Sequence, residues 1–211
     1  MTIIESIKEA TINGNANKTA ELVNQAVSEG LAVNDILQEG LIGAMAVIGE
    51  KFKQGLIFVP EMLIAARAMQ YGLKVVKPLL KGEEAKGLAT VVLGTVKGDL
   101  HDIGKSLVGI MLEGAGCKIV DLGVDVSIEK FVQAIQEHKP QFLGLSALLT
   151  TTMPTMSAVL KALEEAGLRD QVKVLVGGAP VTQKFADEIG ADGFATDAAS
   201  AVDKIKELLA S

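Results

Sequence analysis

From Leu88 onward the chain alternates short apolar runs with helical runs, five times over. No other feature limits its possible folds as strongly. Short apolar runs bounded by glycine or polar residues read as buried strands, and the stretches between them carry helical spacing. The predicted strands are Leu88–Leu93, Lys118–Asp121, Phe142–Leu145, Val172–Val176 and Gly193–Ala195. The predicted helices are Lys105–Gly114, Ile128–His138, Pro154–Ala166, Val181–Ile189 and Ala198–Leu209, with Ser127 as a cap and Pro140 after the second. Such alternation implies a doubly wound, five-stranded parallel sheet. A flavodoxin-like (Rossmann-like) order, 2-1-3-4-5, is expected.

The preceding residues carry only helical patterns. Ile3 to Ile12 reads as a first helix, ended by Asn13-Gly14-Asn15. Asn17 suits the cap of a second, with Ala20, Val23 and Val27 on its apolar face and Gly30 at its end. Asn34 suits the cap of a third, interrupted at Gly55, and Pro60 the first turn of a fourth. Short connections between four helices imply a bundle over residues 1–81. The polar, glycine-flanked run 82–87 reads as a linker, leaving 88–211 to the α/β domain.

Composition excludes several functions. The net charge is −6 and no basic stripe or aromatic platform is present, which argues against nucleic acid. Met1 to Ala10 carries Glu5 and Glu9 and lacks an apolar core, so no signal peptide is expected, and no apolar run spans a bilayer. One cysteine permits no internal disulfide; Cys117 is expected as a small buried apolar residue at a strand start. A cytoplasmic protein is expected.

The chemistry concentrates in Val96-Lys97-Gly98-Asp99-Leu100-His101-Asp102-Ile103-Gly104-Lys105, a loop at the carboxyl end of the first strand. Open α/β sheets bind ligands at that edge. Asp99, two residues before His101, can hold the proton on one ring nitrogen and leave the other free for a metal. Gly104 opens the next helix without a side chain, so a bulky ligand can approach the backbone. A lone loop histidine is more often a hydrogen-bonded surface residue. A zinc site needs three or four ligands, and the chain has one cysteine and two histidines, with no HxxxH or CxxC pair. A metal on His101 would therefore arrive inside a cofactor that supplies its other ligands. His138, in the last turn of a helix, is better explained by the helix dipole.

Asp99-x-His101-x-x-Gly104 resembles the DxHxxG signature of cobalamin-binding domains. Gly144-Leu145-Ser146-Ala147-Leu148 resembles that family's SxL segment, and Val176-Gly177-Gly178-Ala179 its GG segment, in the same order. The chain resembles the small corrinoid proteins of methyltransferase systems and the cobalamin module of methionine synthase. By this resemblance the cofactor's own benzimidazole leaves cobalt and His101 replaces it as the lower axial ligand. Gly98, Asp99, Asp102, Ile103, Gly104, Ser146, Leu148, Thr150, Gly177 and Gly178 would bind the cofactor, with Ser146, Gly177 and Gly178 about a slot for the detached nucleotide tail. Thr152, six residues after Ser146, would extend the pair to a relay, Thr152–Asp99–His101; methionine synthase has serine there. Gly49 to Met62 resembles the cap segment of methyl-transferring cobalamin proteins, so that Phe58, Met62 and Ala65 would shield the upper face of the ring.

The implied function is methyl carriage. A substrate-specific methyltransferase would load cob(I)alamin. A second would take the methyl group from methylcob(III)alamin to tetrahydrofolate or a thiol resembling coenzyme M, and a reductive activase would restore the cobalt. No segment reads as a catalytic barrel, so a non-catalytic carrier subunit of one-carbon metabolism is expected. Methoxylated aromatics, methylamines, methanol and betaines stay open as donors. Three other classes stay open too: the cobalamin-binding subunit of an adenosylcobalamin mutase, a cobalamin-dependent sensor, and a flavodoxin-like domain without cobalamin.

Overall fold

The structure, a computed structural model, describes residues 1–80 and 87–210. All of the expected linker except Gly87 lies outside the described residues. Two compact units are present, Met1–Gly87 with Gly114–Gly116, and Leu88–Glu113 with Cys117–Ser211. No helix among the described residues is long and apolar enough to cross a membrane.

The first unit is helical. It contains α1 (Ile3–Ile12), α2 (Ala16–Ser28), and α3 (Val33–Asp35), which runs through a π-helical stretch, Ile36–Ile42, into α4 (Gly43–Lys53); α5 (Val59–Val76) follows. Thr2 and Glu5 cap α1 reciprocally, the Thr2 hydroxyl accepting from the Glu5 N–H at 3.1 Å and the Glu5 carboxylate from the Thr2 N–H at 2.6 Å. The expected caps Asn17 and Asn34 both fall inside helices. Asn15 caps α2 instead, its side chain accepting from the Lys18 N–H at 3.2 Å, because the turn at Gly14 ends early enough for Asn15 to serve as turn and cap. α3 starts from Ala32, which has no side chain to cap with.

The buried face of α2 is Thr19, Val23 and Ala26, rotated from the expected Ala20, Val23 and Val27. A threonine can sit there because its hydroxyl donates to the Asn15 carbonyl at 3.0 Å. Gly72 of α5 allows close packing: a Cβ on it would stand 2.7 Å from Leu41 Cδ2. Phe58 precedes α5, where the Glu61 carboxylate accepts its N–H at 3.1 Å, and Pro60 occupies the first turn as expected.

The second unit is a five-stranded parallel sheet of order β2-β1-β3-β4-β5, with β1 (Thr90–Thr95), β2 (Lys118–Asp121), β3 (Phe142–Ser146), β4 (Lys173–Gly177) and β5 (Gly193–Ala195). Between and after them run α6 (Ile103–Gly114), α7 (Ile128–His138), α8 (Met153–Glu165), α9 (Gln183–Glu188) and α10 (Ala198–Ala210). The expected fold class and strand order hold. β1 lies two residues later than its apolar run, since its ladder starts at Thr90↔Lys118 and ends at Thr95↔Ser146. α9 is shorter than expected because Thr182 caps it, accepting from the Phe185 N–H at 3.2 Å.

The core under the sheet is aliphatic, with Val92, Leu143, Leu145, Met156, Val159, Leu163, Val174 and Val176 around Phe131. Gly94 makes room for that ring: a Cβ there would meet Phe131 Cε1 at 2.5 Å. Truncating Phe131 to alanine would cost about 3–5 kcal/mol by the usual cavity arithmetic. This packing fixes the ends of β1, β3 and β4 level with one another: Thr95 pairs with Ser146, and Ser146 with Gly177.

Candidate functional site

The loop after β1 and the loop after β3 meet at the carboxyl edge of the sheet, where the strand order reverses. Their meeting point is Asp99. Its side chain is completely buried, and both carboxylate oxygens are occupied. Oδ1 accepts the His101 N–H at 3.1 Å and faces His101 Nδ1 at 2.7 Å. Oδ2 accepts the Leu148 N–H at 2.7 Å, the Leu149 N–H at 3.2 Å and the Thr152 hydroxyl at 2.9 Å. Burial pushes the Asp99 carboxyl up. The Leu148 N–H, His101 and Thr152 outweigh that and hold it well below the usual carboxylate range.

An ionised carboxylate can only accept, so His101 Nδ1 carries a hydrogen, and in the neutral imidazole Nε2 keeps its lone pair. The ring is not enclosed: the His101 side chain is 52% exposed. Around it in the same two loops stand Leu100 and Ile103, 72% and 77% exposed, and Leu148 and Leu149, 40% and 42% exposed. Exposed large apolar side chains on neighbouring loops are common at surfaces that bind a ligand or partner. Among the described residues, no group of three or more His, Cys, Asp and Glu can hold a metal by itself.

The expected residues of this unit fall together. Gly98, Asp99, His101, Asp102, Ile103 and Gly104 form the loop and the first turn of α6. A Cβ on Gly104 would meet nothing within 4 Å, so the backbone there is open to a ligand. Leu148, Thr150 and Thr152 lie in the loop after β3, Thr152 buried and Thr150 exposed. Ser146 and Gly177 end their strands. Gly178 follows at φ 125°, where a Cβ would stand 1.9 Å from the Ala147 carbonyl oxygen, so only glycine fits. Phe58, Met62 and Ala65 belong to the helical unit: Phe58 is 68% exposed, and Met62 and Ala65 are fully buried.

Other contacts escaped the sequence. The Leu148 and Leu149 backbone donors come from two apolar residues and leave no side-chain signal. Thr95, buried at the end of β1, donates its hydroxyl to the His101 carbonyl at 2.9 Å. Lys105, on the first turn of α6 and 5% exposed, pairs with the Asp121 carboxylate at the end of β2. Asp125 accepts the Gly98 N–H at 2.8 Å.

Family models described as B12 binding domain match residues 89–203 and, separately, residues 3–77. The trimethylamine corrinoid protein of Methanosarcina barkeri is 46% identical over 209 residues, 98% of this chain and 96% of that one. The dimethylamine corrinoid protein of the same organism is 42% identical, over 99% of this chain and 98% of its own. The crystal structure of the methanol:cobalamin methyltransferase complex MtaBC from Methanosarcina barkeri superposes with a TM-score of 0.89 at 32% identity, covering 99% of this chain and 80% of that one.

Proposed function

This chain belongs to the B12-binding domain family, and from that membership we propose that it carries methyl groups from a methylated amine to an acceptor enzyme. Its cofactor is a corrinoid. When bound, the corrinoid supplies a cobalt centre that takes up and gives up a methyl group.

The observation that carries this assignment is the His101–Asp99 pair. With Nδ1 held at 2.7 Å from a buried, ionised carboxylate, Nε2 of the neutral, half-exposed ring offers a single lone pair. One such donor fits a metal that brings its own equatorial ligands. The exposed Leu100, Ile103, Leu148 and Leu149 suit the apolar rim of a flat ring and would keep water from it. Ser146 and Gly177 are small, level strand ends and Gly178 follows directly, an arrangement that suits the entry of a narrow tail. Thr152 holds Asp99 from the far oxygen, completing the relay Thr152–Asp99–His101. We assign residues 88–211 to cofactor binding and residues 1–81, through Phe58, Met62 and Ala65, to shielding.

One partner is a methyltransferase specific for the donor, as the complex of the MtaBC neighbour supports. We further assign as partners a second methyltransferase, using tetrahydrofolate or a thiol as acceptor, and a reductive activase. The relatives named for trimethylamine and dimethylamine favour the amine class of donor.

Two measurements test this. Apoprotein reconstituted with cobalamin and reduced to cobalt(II) should show electron-paramagnetic coupling to a protein nitrogen, and His101→Ala should remove it. Persistence of that coupling would exclude His101 as the ligand. Methyl transfer should then be assayed with tri-, di- and monomethylamine, methanol, betaine and methoxylated aromatics, each with its candidate methyltransferase. Transfer from methanol alone would overturn the donor assignment.

A further inference from the structure

Past the formal end of β1, the ligand loop is zipped to a second segment that the sequence did not single out. Thr95 donates its N–H to the Gly123 carbonyl at 3.0 Å, Val126 returns its N–H to the Thr95 carbonyl at 3.0 Å, and Val96 and Val126 form a parallel bridge. One step further, Asp125 engages the loop twice. Its carboxylate accepts the Gly98 N–H at 2.8 Å, and its own N–H donates to the Asp99 carbonyl at 3.0 Å. Gly98 sits at φ 85° and Asp125 at φ 50°.

A left-handed backbone is uncommon at a residue with a Cβ, and aspartate adopts it more readily than most. Asp125 is exposed and has no core to fill, yet both its ends bind the turn before the ligand, at Gly98 and Asp99, three and two positions ahead of His101. The five donors that occupy the Asp99 carboxylate fix only the side chain. The Asp99 carbonyl and the Gly98 N–H are fixed by Asp125 alone among the contacts described above.

We propose that Asp125 is a positioning residue for the cofactor ligand: it clasps the Gly98–Asp99 turn so that the Asp99 carboxylate meets His101 Nδ1, and so aims Nε2 outward. This rests on the assignment of His101 as the ligand. Asp125 touches neither cofactor nor methyl group and acts through Asp99.

The test compares Asp125→Asn, Asp125→Ala and Asp125→Gly by nitrogen NMR of the apoprotein. Asparagine keeps an acceptor and tolerates a positive φ; glycine relieves the backbone but removes the acceptor; alanine does neither. In the native protein and Asp125→Asn, His101 should be the Nδ1–H tautomer and the Gly98 amide should exchange slowly. In Asp125→Gly and Asp125→Ala the Gly98 amide should exchange roughly fivefold faster, the effect of losing one ordinary hydrogen bond, and the Nε2–H tautomer should become visible. Should Asp125→Ala fail to fold, Asp125→Gly carries the same comparison. Unchanged exchange and tautomer in the glycine variant, or an asparagine variant that behaves like it, would overturn the proposal. Both readouts come from apoprotein, so they report on Asp125 whether or not His101 binds cobalt.

Discussion

The Thr152 hydroxyl stands 2.9 Å from Asp99 Oδ2, on the carboxylate oxygen opposite the one that faces His101. The Thr152 methyl also lies close to the loop: a Cβ on Gly98 would be 3.5 Å from Thr152 Cγ2, an ordinary contact. Thr152 therefore acts on Asp99 by a donated hydrogen, for which the Leu149 carbonyl, also at 2.9 Å, is the competing acceptor.

Thr152→Val keeps the shape and removes the donor, leaving Asp99 four of its five hydrogen bonds. Outer partners of a metal-ligating histidine typically contribute about 10- to 100-fold in affinity or activity. The valine variant should lie near the low end, at about tenfold in cobalamin affinity. Thr152→Ser keeps the donor and should stay close to wild type. Cobalamin titration of the two variants checks this; equal affinities would show that the hydroxyl is idle.

The Asp99 carboxyl is held below its ordinary value near 3.8 by its donors, against the effect of burial. A group with a lowered folded pKa adds stability above the unfolded value and loses it as pH falls toward the folded one. Asp192, which accepts the Val174 N–H at 2.8 Å and pairs with Arg169 at 2.7 Å, is shifted the same way despite its burial. The melting temperature should therefore fall between about pH 5 and about pH 3. Asp99→Asn and Asp192→Asn should each flatten that fall while lowering stability at neutral pH. Identical slopes in mutants and wild type would contradict it.

Lys105 and Asp121 should respond unequally to mutation. Lys105 is nearly buried, while the Asp121 side chain is 44% exposed and also accepts the Gly123 N–H at 2.9 Å. Asp121→Ala leaves a buried ammonium unpaired and should cost about 3 kcal/mol. Lys105→Met removes the charge with it, leaves Asp121 to water, and should cost about 1 kcal/mol or less. Urea unfolding of both variants gives the comparison, and the reverse order would refute it.

Exposure separates two of the residues proposed to shield the cofactor, Phe58 just before α5 and Met62 within it. Phe58→Ala, at a position 68% exposed, should change stability by no more than about 0.5 kcal/mol. Met62→Ala, at a fully buried position, should cost about 2–5 kcal/mol. A faster light-driven loss of the methyl group in Phe58→Ala, at unchanged melting temperature, would thus report shielding rather than unfolding. An unchanged rate would remove Phe58 from that role.

Local features and the strand order were legible in the sequence; exact strand ends and most long-range hydrogen bonds were not. Asp99, His101 and Gly104 carry a short-range spacing, and α7, β2 and β5 begin and end where composition places them. β1 drifted because pairing partners, not its apolar run, set its ends: Leu88 is 43% exposed, whereas Thr95 is buried and in register with Ser146. The π-helical stretch at Ile36–Ile42 has no composition of its own. Asn15 replaced Asn17 as a cap because the length of a glycine turn decided between two equivalent side chains. Asp125 left no trace, since its partners Gly98 and Asp99 lie 27 and 26 positions away.

The Asp99 carboxylate belongs to the first βα loop, but its Leu148, Leu149 and Thr152 donors come 49, 50 and 53 positions later. At about 5–20 residues per second a ribosome delivers those donors roughly 2–10 s after the histidine. During that interval the carboxylate is solvated and the imidazole free to hold its hydrogen on either nitrogen. The full set of donors on the Asp99 carboxylate is thus complete only when β3 has docked beside β1 and the segment through Thr152 is in place.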